Sequence, residues 1–385
     1  MRQSTSFGLV FLIWFAGLGA AAQYGKISVI YDQLPAIYPH AGPLLGFFVS
    51  LVGFVGILFG VVAGLLVARV GFRVALIWAL WAGAVLSLMQ SVLPPLPIML
   101  ALRALEGASH LAIVVAAPTL IAHLSASRHL GLTLTLWGTF FGVAYTGLVW
   151  IGLPLVAAFG LPVLFQTHAI WMVALALILS SALREVQAGE RGEPLSVALI
   201  LRRHLTIYRS PTIAAPAIGW LFYTLCFLSL LTLIPPYLPQ DLRAVVLGAM
   251  PLVSILSSMT LGVFLLRYLS GVNVVVLGFG LCVLCLIWLV FAPGAPLACL
   301  ALSAALGLVQ GASFAAVPQL NDTAEARAQS NGAMAQMGNI GNTLGTPVFA
   351  AILVGAGYSG MIVAAASVLL MGAMAHIWLA RQRRS

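Results

Sequence analysis

Long apolar runs alternate with short polar connectors along the whole chain. Each run reaches about 20 residues, the length that an α-helix needs to cross the hydrocarbon core of a bilayer. The pattern therefore predicts twelve membrane-spanning helices. They cover residues 7–34, 44–67, 73–93, 97–123, 130–153, 162–183, 212–234, 244–266, 272–291, 296–318, 328–353 and 359–380.

The composition supports a bilayer environment. Of the 385 residues, 62% are hydrophobic and only 6% are charged, whereas soluble domains carry about 25% charged residues. The formal net charge of +9 does not indicate a nucleic-acid partner, because the basic residues lie in short loops rather than on one soluble face.

The sixth connector is the longest and the most charged, and it divides the chain almost in half. The sequence therefore predicts an N-terminal six-helix bundle over residues 1–183 and a C-terminal six-helix bundle over residues 211–385. A central loop on the cytoplasmic side, residues 184–210, would join them.

The basic residues predict how the helices are oriented, because cytoplasmic loops are enriched in Lys and Arg. If the N-terminus is cytoplasmic and the helices alternate, 14 of the 17 basic residues fall inside and only Arg243 falls in an outer loop. We therefore expect a multi-pass protein of the cytoplasmic (inner) membrane with both termini in the cytoplasm. The fourteen are Arg2, Arg69, Arg73, Arg128, Arg184, Arg191, Arg202, Arg203, Arg209, Arg267, Arg327, Arg381, Arg383 and Arg384.

The two halves share short patterns at offsets of 198 to 204 residues. The fourth helix contains Glu106-Gly107-Ala108-Ser109 and the tenth contains Gln310-Gly311-Ala312-Ser313. Several matches in the same order favour two parallel repeats of six helices, an arrangement known among transporters.

The segment after the second helix reads Gly64-Leu65-Leu66-Val67-Ala68-Arg69-Val70-Gly71-Phe72-Arg73. It resembles the loop signature G-x-L-x-D-R-x-G-R-R of the major facilitator superfamily. The resemblance implies a cytoplasmic gate motif at Gly64, Arg69, Gly71 and Arg73. The glycine would let helices approach closely, and the arginines would bond carbonyl groups at helix ends. Ala68 stands where the family has Asp.

A second match lies in the fourth helix, where Arg103-Ala104-Leu105-Glu106-Gly107 resembles the family signature R-x-x-Q-G. The resemblance covers nearly the whole chain. It implies an all-α membrane protein with twelve transmembrane helices in two pseudo-symmetric six-helix bundles. The family carries many kinds of solute, so membership alone names no substrate.

Arg103, Glu106 and His110 are the strongest candidates for substrate binding and proton coupling. Charges in hydrocarbon cost about 2.5–3.5 kcal/mol on insertion scales, so each needs a reason. Their spacings of 3 and 4 put all three on one face of the fourth helix. Glu106 and His110 would exchange a proton. The alternative is a structural polar group that ties this helix to its neighbours.

Lys26, the only lysine in the chain, shares a face of the first helix with Gln23. The nearest acid, Asp32, points to a different face, and Arg103 competes for Glu106, the only other acid well inside a span. Lys26 would therefore bind an anionic group of the substrate. The alternative is that it extends to the outer surface. Interface placement alone would explain His168, at the start of the sixth helix.

Two further pairs are candidates for substrate contact. Trp220 and Tyr223 share a face of the seventh helix and would form an aromatic wall, although aromatic residues also simply pack. Asn339 and Asn342 share a face of the eleventh helix, which is rich in glycine. They would line a cavity, or their amides would join closely packed helices.

No motif in the sequence calls for a cofactor or a metal site. The Cys282/Cys285 pair has CxxC spacing but no second pair and no nearby His, and we interpret both as packing residues. GxxxxGK[ST], HExxH and GxSxG motifs do not occur, so the sequence predicts neither ATP-driven transport within this chain nor an enzyme.

We therefore expect a monomeric secondary transporter with a small-molecule substrate, coupled to protons by symport or antiport. The solute would be organic, and Lys26 favours an anion. The alternatives are a drug or metabolite exporter, an uncoupled facilitator and, more remotely, a membrane enzyme or scaffold.

Overall fold

The computed structural model describes residues 4–60, 62–184 and 204–383, and within these ranges all regular structure is helical. In this part of the chain, eleven helical stretches are long and apolar enough to span a membrane. Most of the predicted central loop, residues 185–203, lies outside the described residues.

We number the spanning helices α1 to α12. The first six are α1 (Phe7–Ser28), α2 (Gly42–Phe59, followed by Ala63–Val70), α3 (Phe72–Gln90), α4 (Leu96–Leu124), α5 (Ser127–Phe159) and α6 (Pro162–Ala182). The next four are α7 (Ala214–Leu233), α8 (Arg243–Leu265), α9 (Gly271–Phe291) and α10 (Pro296–Leu320).

The last helical stretch, Ala324–Gln382, is two helices. The backbone at Gly357 has φ 69° and ψ −173°, which is not helical. Glycine adopts positive φ at little cost because it has no Cβ. The stretch therefore divides into α11, residues 324–356, and α12, residues 358–382. This break confirms the prediction of twelve helices for the described part of the chain.

The first two spans differ from the predicted bounds. The predicted helix over residues 7–34 ends at Ser28 and is followed by a 3-10 turn, Tyr31–Gln33, and a short helix, Leu34–Ile37. The predicted helix over residues 44–67 is interrupted between Phe59 and Ala63. A long apolar run predicts a segment inside the bilayer, but it does not predict where the backbone turns within that segment.

The chain forms two compact units. One comprises Met1–Ile30, Leu51–Gly56 and Val62–Leu195, and the other comprises Tyr31–Ser50, Ile57–Val61 and Ser196–Ser385. The core of the first unit is built from buried aliphatic residues on α1, α3, α4 and α6, such as Ile13, Leu76, Ile113 and Leu175. These four helices also carry the polar side chains described below.

Matching glycines hold equivalent helices together in the two units. A Cβ on Gly107 of α4 would overlap the Val52 carbonyl oxygen of α2. A Cβ on Gly311 of α10 would overlap the Ser258 hydroxyl of α8. These two glycines occupy matching positions in the sequence repeat. The fold is therefore an all-α arrangement of two related six-helix bundles.

Candidate functional site

A charged cluster lies inside the first unit, where α1, α3, α4 and α6 meet. Lys26 of α1 and Arg103 and Glu106 of α4 are all fully buried, with 0% of each residue exposed. Burying charges is costly unless they are paired and hydrogen-bonded. The contacts of these three side chains therefore show how the cost of burying the charges is offset.

Both oxygens of the Glu106 carboxylate are bonded. Oε1 lies 2.6 Å from Lys26 Nζ. Oε2 accepts a hydrogen bond from Arg103 Nη1 and a second from Gln90 Nε2 at 2.8 Å. One carboxylate thus faces two cations, and the three groups together carry one excess positive charge.

Lys26 makes further contacts with α3 and α6. Its ammonium donates to Ser87 Oγ at 2.9 Å and lies 3.4 Å from His168 Nδ1. His168 Nε2 is 2.9 Å from the Gly19 carbonyl oxygen. A carbonyl only accepts, so Nε2 carries the proton and Nδ1 is the acceptor in a neutral imidazole. A continuous polar chain therefore runs from His168 through Lys26 and Glu106 to Arg103.

A second layer of bonds fixes α1 against α4. Arg103 Nη2 donates to the Gln23 backbone carbonyl at 2.6 Å, and Gln23 Nε2 donates to Ser109 Oγ at 2.9 Å. His110 Nδ1 lies 3.0 Å from the Ala20 carbonyl oxygen, and its ring meets Tyr24 edge to face. These bonds orient the side chains that surround the ion pairs.

The predicted proton exchange between Glu106 and His110 has no direct contact to carry it. Within the described residues, no hydrogen bond joins these two side chains, because His110 is turned toward α1. The spacing of 4 correctly placed both on one helical face, but it did not determine which neighbour each would contact.

The interpretation of Lys26 needs two corrections. Its side chain does not extend to the surface, because the residue is fully buried. It also does not lack an acidic partner, because Glu106 comes from another helix and lies within hydrogen-bond distance. Competition from Arg103 does not exclude this pair, because Lys26 bonds one carboxylate oxygen of Glu106 and Arg103 bonds the other.

His168 is the functional candidate that the sequence analysis missed. Placement at the membrane interface does not explain it, because only 6% of it is exposed and its Nδ1 lies 3.4 Å from Lys26 Nζ. A signal was present in the sequence. His168 lies six residues after Pro162, and Arg103 lies six residues after Pro97. Each is therefore about 9 Å along its helix, inside the span.

Trp220 and Tyr223 lie in the second unit and stack with ring centroids 4.6 Å apart. Trp220 also meets Phe314 of α10 edge to face. The Tyr223 hydroxyl donates to Gln310 Oε1 at 3.4 Å. Gln310 occupies the repeat position of Glu106, so α7 contacts α10 here as α1 contacts α4 in the first unit.

Asn339 and Asn342 are half-buried on α11. Asn339 Nδ2 donates to the Ala335 carbonyl of its own helix at 2.8 Å. The nearby glycines pack closely, since a Cβ on Gly341 would lie 2.8 Å from the Leu225 backbone nitrogen of α7. The packing interpretation therefore holds for Gly341, and substrate contact by the two asparagines stays a prediction.

The four residues of the predicted gate motif have different structural roles. Gly71 has φ 92° and separates the helix Ala63–Val70 from α3. Arg73 Nη2 donates to the Ser180 carbonyl in the last turn of α6 at 3.1 Å, which is the expected helix-end contact. At Gly64, none of the described residues would lie within 4 Å of an added Cβ, so the described helices make no close approach there. Arg69 is exposed, and a gating role for the motif stays a prediction.

The described residues contain no group of three or more His, Cys, Asp or Glu side chains that could hold a metal ion. Cys282 and Cys285 are free thiols.

The fold and the buried polar cluster define a polytopic helical membrane protein built from two related bundles. The sequence profile of the Major Facilitator Superfamily matches residues 9–346, and the chain belongs to this family. It is therefore a membrane transporter that takes a small-molecule substrate and sits in a lipid bilayer.

Among solved structures, the chain is similar to a Major Facilitator Superfamily transporter, FucP, in the outward conformation. The match has a TM-score of 0.68 and 15% sequence identity, and it covers 97% of this chain and 98% of that one. At this identity the likeness shows the fold alone. The search of curated proteins found no match.

Proposed function

We propose that this chain is a proton-coupled secondary active transporter of the cytoplasmic membrane that moves a small organic solute by alternating access. The observation that supports coupling is the buried carboxylate of Glu106 between Lys26 and Arg103. Ionisable groups inside membrane spans are expensive and commonly mark ion or substrate pathways.

In the proposed mechanism Glu106 is the proton-carrying group. With both cations in contact, the ionised carboxylate is balanced and α1 is held to α4. Protonation of Glu106 would remove the charge that holds Lys26 and would weaken the link between the two helices. Arg103 and Lys26 would then compete for other anionic or acceptor groups. Proton binding and helix rearrangement are thereby linked in the same side chains.

The charge balance also supports an anionic cargo. The earlier reason for an anion, a lysine without a partner, does not hold. The cluster nevertheless carries two cations and one carboxylate, and His168 and His110 add no charge when they are neutral. One excess positive charge in a low-dielectric environment favours the approach of a carboxylate or phosphate group. Trp220, Tyr223, Asn339 and Asn342 are further candidates for cargo contact.

The test of coupling first requires a ligand that the protein binds. A thermal-shift screen of the purified chain against carboxylates, phosphate esters and neutral sugars would identify such a ligand, because a ligand stabilises the state that it binds. Transport of that ligand is then measured in proteoliposomes with and without a proton gradient. The variant Glu106→Gln keeps the shape and hydrogen bonding of the side chain but does not titrate. We expect it to lose gradient-driven accumulation and to retain counterflow exchange.

Glu106→Asp is the matched control, because it keeps a titratable carboxyl and should retain accumulation. Retained counterflow shows that the Gln variant is folded. If Glu106→Gln accumulates ligand as the wild type does, Glu106 is structural and the coupling proposal is wrong. If transport by the wild type does not respond to the proton gradient, the proposal of proton coupling is wrong.

The anion proposal has its own test in Lys26→Met, which keeps the bulk of the stem and removes the charge. Affinity for an anionic ligand should fall by about tenfold or more, the equivalent of one charge-assisted bond. The exposed cation Arg128 supplies the control variant Arg128→Gln, which should bind normally. A neutral or cationic cargo with unchanged affinity in Lys26→Met would contradict the proposal.

A further inference from the structure

A groove between α9 and α12 combines apolar walls with a polar end. Its cavity measures about 430 Å³. Leu277 of α9 and Ile377 of α12 line it and are exposed, at 41% and 43%. Asn273 and Arg381 also line it, and both are exposed. Asn273 is in the first turn of α9 and Arg381 is in the last turn of α12, so the polar end lies at the end of both helices.

The side chain of His376 belongs to the same groove. It lines the cavity and is 0% exposed, and neither imidazole nitrogen has a hydrogen-bond partner among the described residues. A buried polar group left without a partner costs about 1–3 kcal/mol. The Nε2 of His376 packs against Gly219 of α7, where an added Cβ would overlap it, so the ring closes the inner wall of the groove and the polar groups open to a ligand are Asn273 and Arg381.

The arrangement matches the parts of a membrane lipid. Both helices span the bilayer, so exposed apolar side chains such as Leu277 and Ile377 suit acyl chains. A guanidinium binds phosphate through two parallel hydrogen bonds, and Arg381 lies where the headgroups of one leaflet would be. The N-terminus of α9 adds the positive end of a helix dipole beside Asn273.

We propose that this groove binds an anionic phospholipid, with its headgroup phosphate on Arg381 and Asn273 and its chains along Leu277 and Ile377. His376 forms part of the inner wall of the groove and makes no contact with the headgroup in this proposal. Arg381 and Asn273 thus select for negative charge, whereas the apolar walls select for a lipid over a small soluble anion. The site is separate from the charged cluster and does not depend on the transport proposal.

The test compares lipids on the purified full-length chain. Phosphatidylglycerol and phosphatidylcholine are added at equal mole fraction, and retained lipid is counted by native mass spectrometry while thermal unfolding is followed. We expect the wild type to retain phosphatidylglycerol and to be stabilised by it more than by phosphatidylcholine. Arg381→Gln should weaken phosphatidylglycerol retention by about tenfold, the effect of losing one charge-assisted bond. Asn273→Leu should weaken it in the same direction.

The matched control is Arg267→Gln, which removes one exposed cation outside the groove and should retain phosphatidylglycerol normally. Both groove variants alter exposed residues, so folding is expected to survive. Equal retention of the two lipids by the wild type, or unchanged retention by Arg381→Gln, would overturn the proposal. A stabilisation reproduced by inorganic phosphate at the same concentration would also overturn it, because the site would then bind a small anion.

Discussion

Lys26 and Glu106 form a fully buried ion pair between α1 and α4, with 2.6 Å between Nζ and Oε1. Arg103 bonds the other carboxylate oxygen, so the two cations share one anion. Removing the anion therefore leaves two buried cations unpaired, whereas removing Lys26 leaves one complete ion pair.

We expect Glu106→Gln to destabilise the protein more than Lys26→Met does. The Gln variant leaves two buried cations without a counter-charge, and breaking a buried pair in this way costs about 3–5 kcal/mol. The Met variant leaves Arg103 paired with Glu106 and removes the excess charge, so its cost should be about 1–3 kcal/mol, the range for a lost buried hydrogen bond. The midpoint of thermal unfolding in one detergent measures the order.

The double variant Lys26→Met with Glu106→Gln completes the cycle. Because it removes one of the two stranded cations, it should unfold at a higher temperature than Glu106→Gln alone. The Lys26→Met variant could instead unfold at or below the unfolding temperature of Glu106→Gln. That result would mean that the remaining ion pair with Arg103 does not balance the charge of the Glu106 carboxylate.

His168 should support the position of Lys26. The change His168→Leu removes the bonds to Ser87 Oγ and to the Gly19 carbonyl, both at 2.9 Å. Losing these two buried hydrogen bonds should cost about 1–3 kcal/mol, although Ser87 Oγ keeps its bonds to Lys26 and to the Phe165 carbonyl. Gln166→Leu is the control on the same helix, because Gln166 is exposed and should change stability by no more than about 0.5 kcal/mol. Equal melting temperatures for the two variants would contradict this prediction and would mean that the bonds of His168 do not contribute to stability.

The membrane spans could be predicted because contact with lipid imposes long apolar runs, which a single sequence displays. The position of Arg103 and Glu106 on one helical face could also be predicted, since an α-helix has a fixed rotation per residue. Partners supplied by other helices were not accessible in this way. The contact of Lys26 with Glu106 depends on how α1 packs against α4, and no periodicity within either helix records that packing.

Burial within a span was equally hard to predict from a single position. The neighbouring residues Gln166 and His168 look alike as polar groups near the start of an apolar run, but one is exposed and the other faces Lys26. Gly64 and Gly107 show the same limit. Both are helical glycines in family-like motifs, and only Gly107 lies against another backbone.

The predicted topology can be tested by single cysteines introduced at loop positions. Arg128 and Arg267 should be inaccessible to a membrane-impermeant thiol reagent added from outside, whereas Asp241 should react. All three positions are exposed in the structure, so protection would come from the membrane and not from burial in the protein. The wild-type chain controls for its native thiols, of which Cys226, Cys282 and Cys299 are buried. Outside labelling at Arg267 would reverse the assigned orientation.

Gly345 should be essential for the contact between α11 and α7. A Cβ at this position would overlap the Leu225 carbonyl oxygen and would lie 2.5 Å from Ser229 Oγ. Backbone atoms cannot rotate away, so Gly345→Ala should force the helices apart at a cost of about 1–3 kcal/mol. Gly280 in α9 is the matched control, because a Cβ there would meet none of the described residues within 4 Å. Gly280→Ala should leave the melting temperature unchanged or slightly raised, since alanine favours the helix by about 1 kcal/mol over glycine. If Gly345→Ala melts at the same temperature as Gly280→Ala, the close approach of α7 and α11 does not contribute to stability.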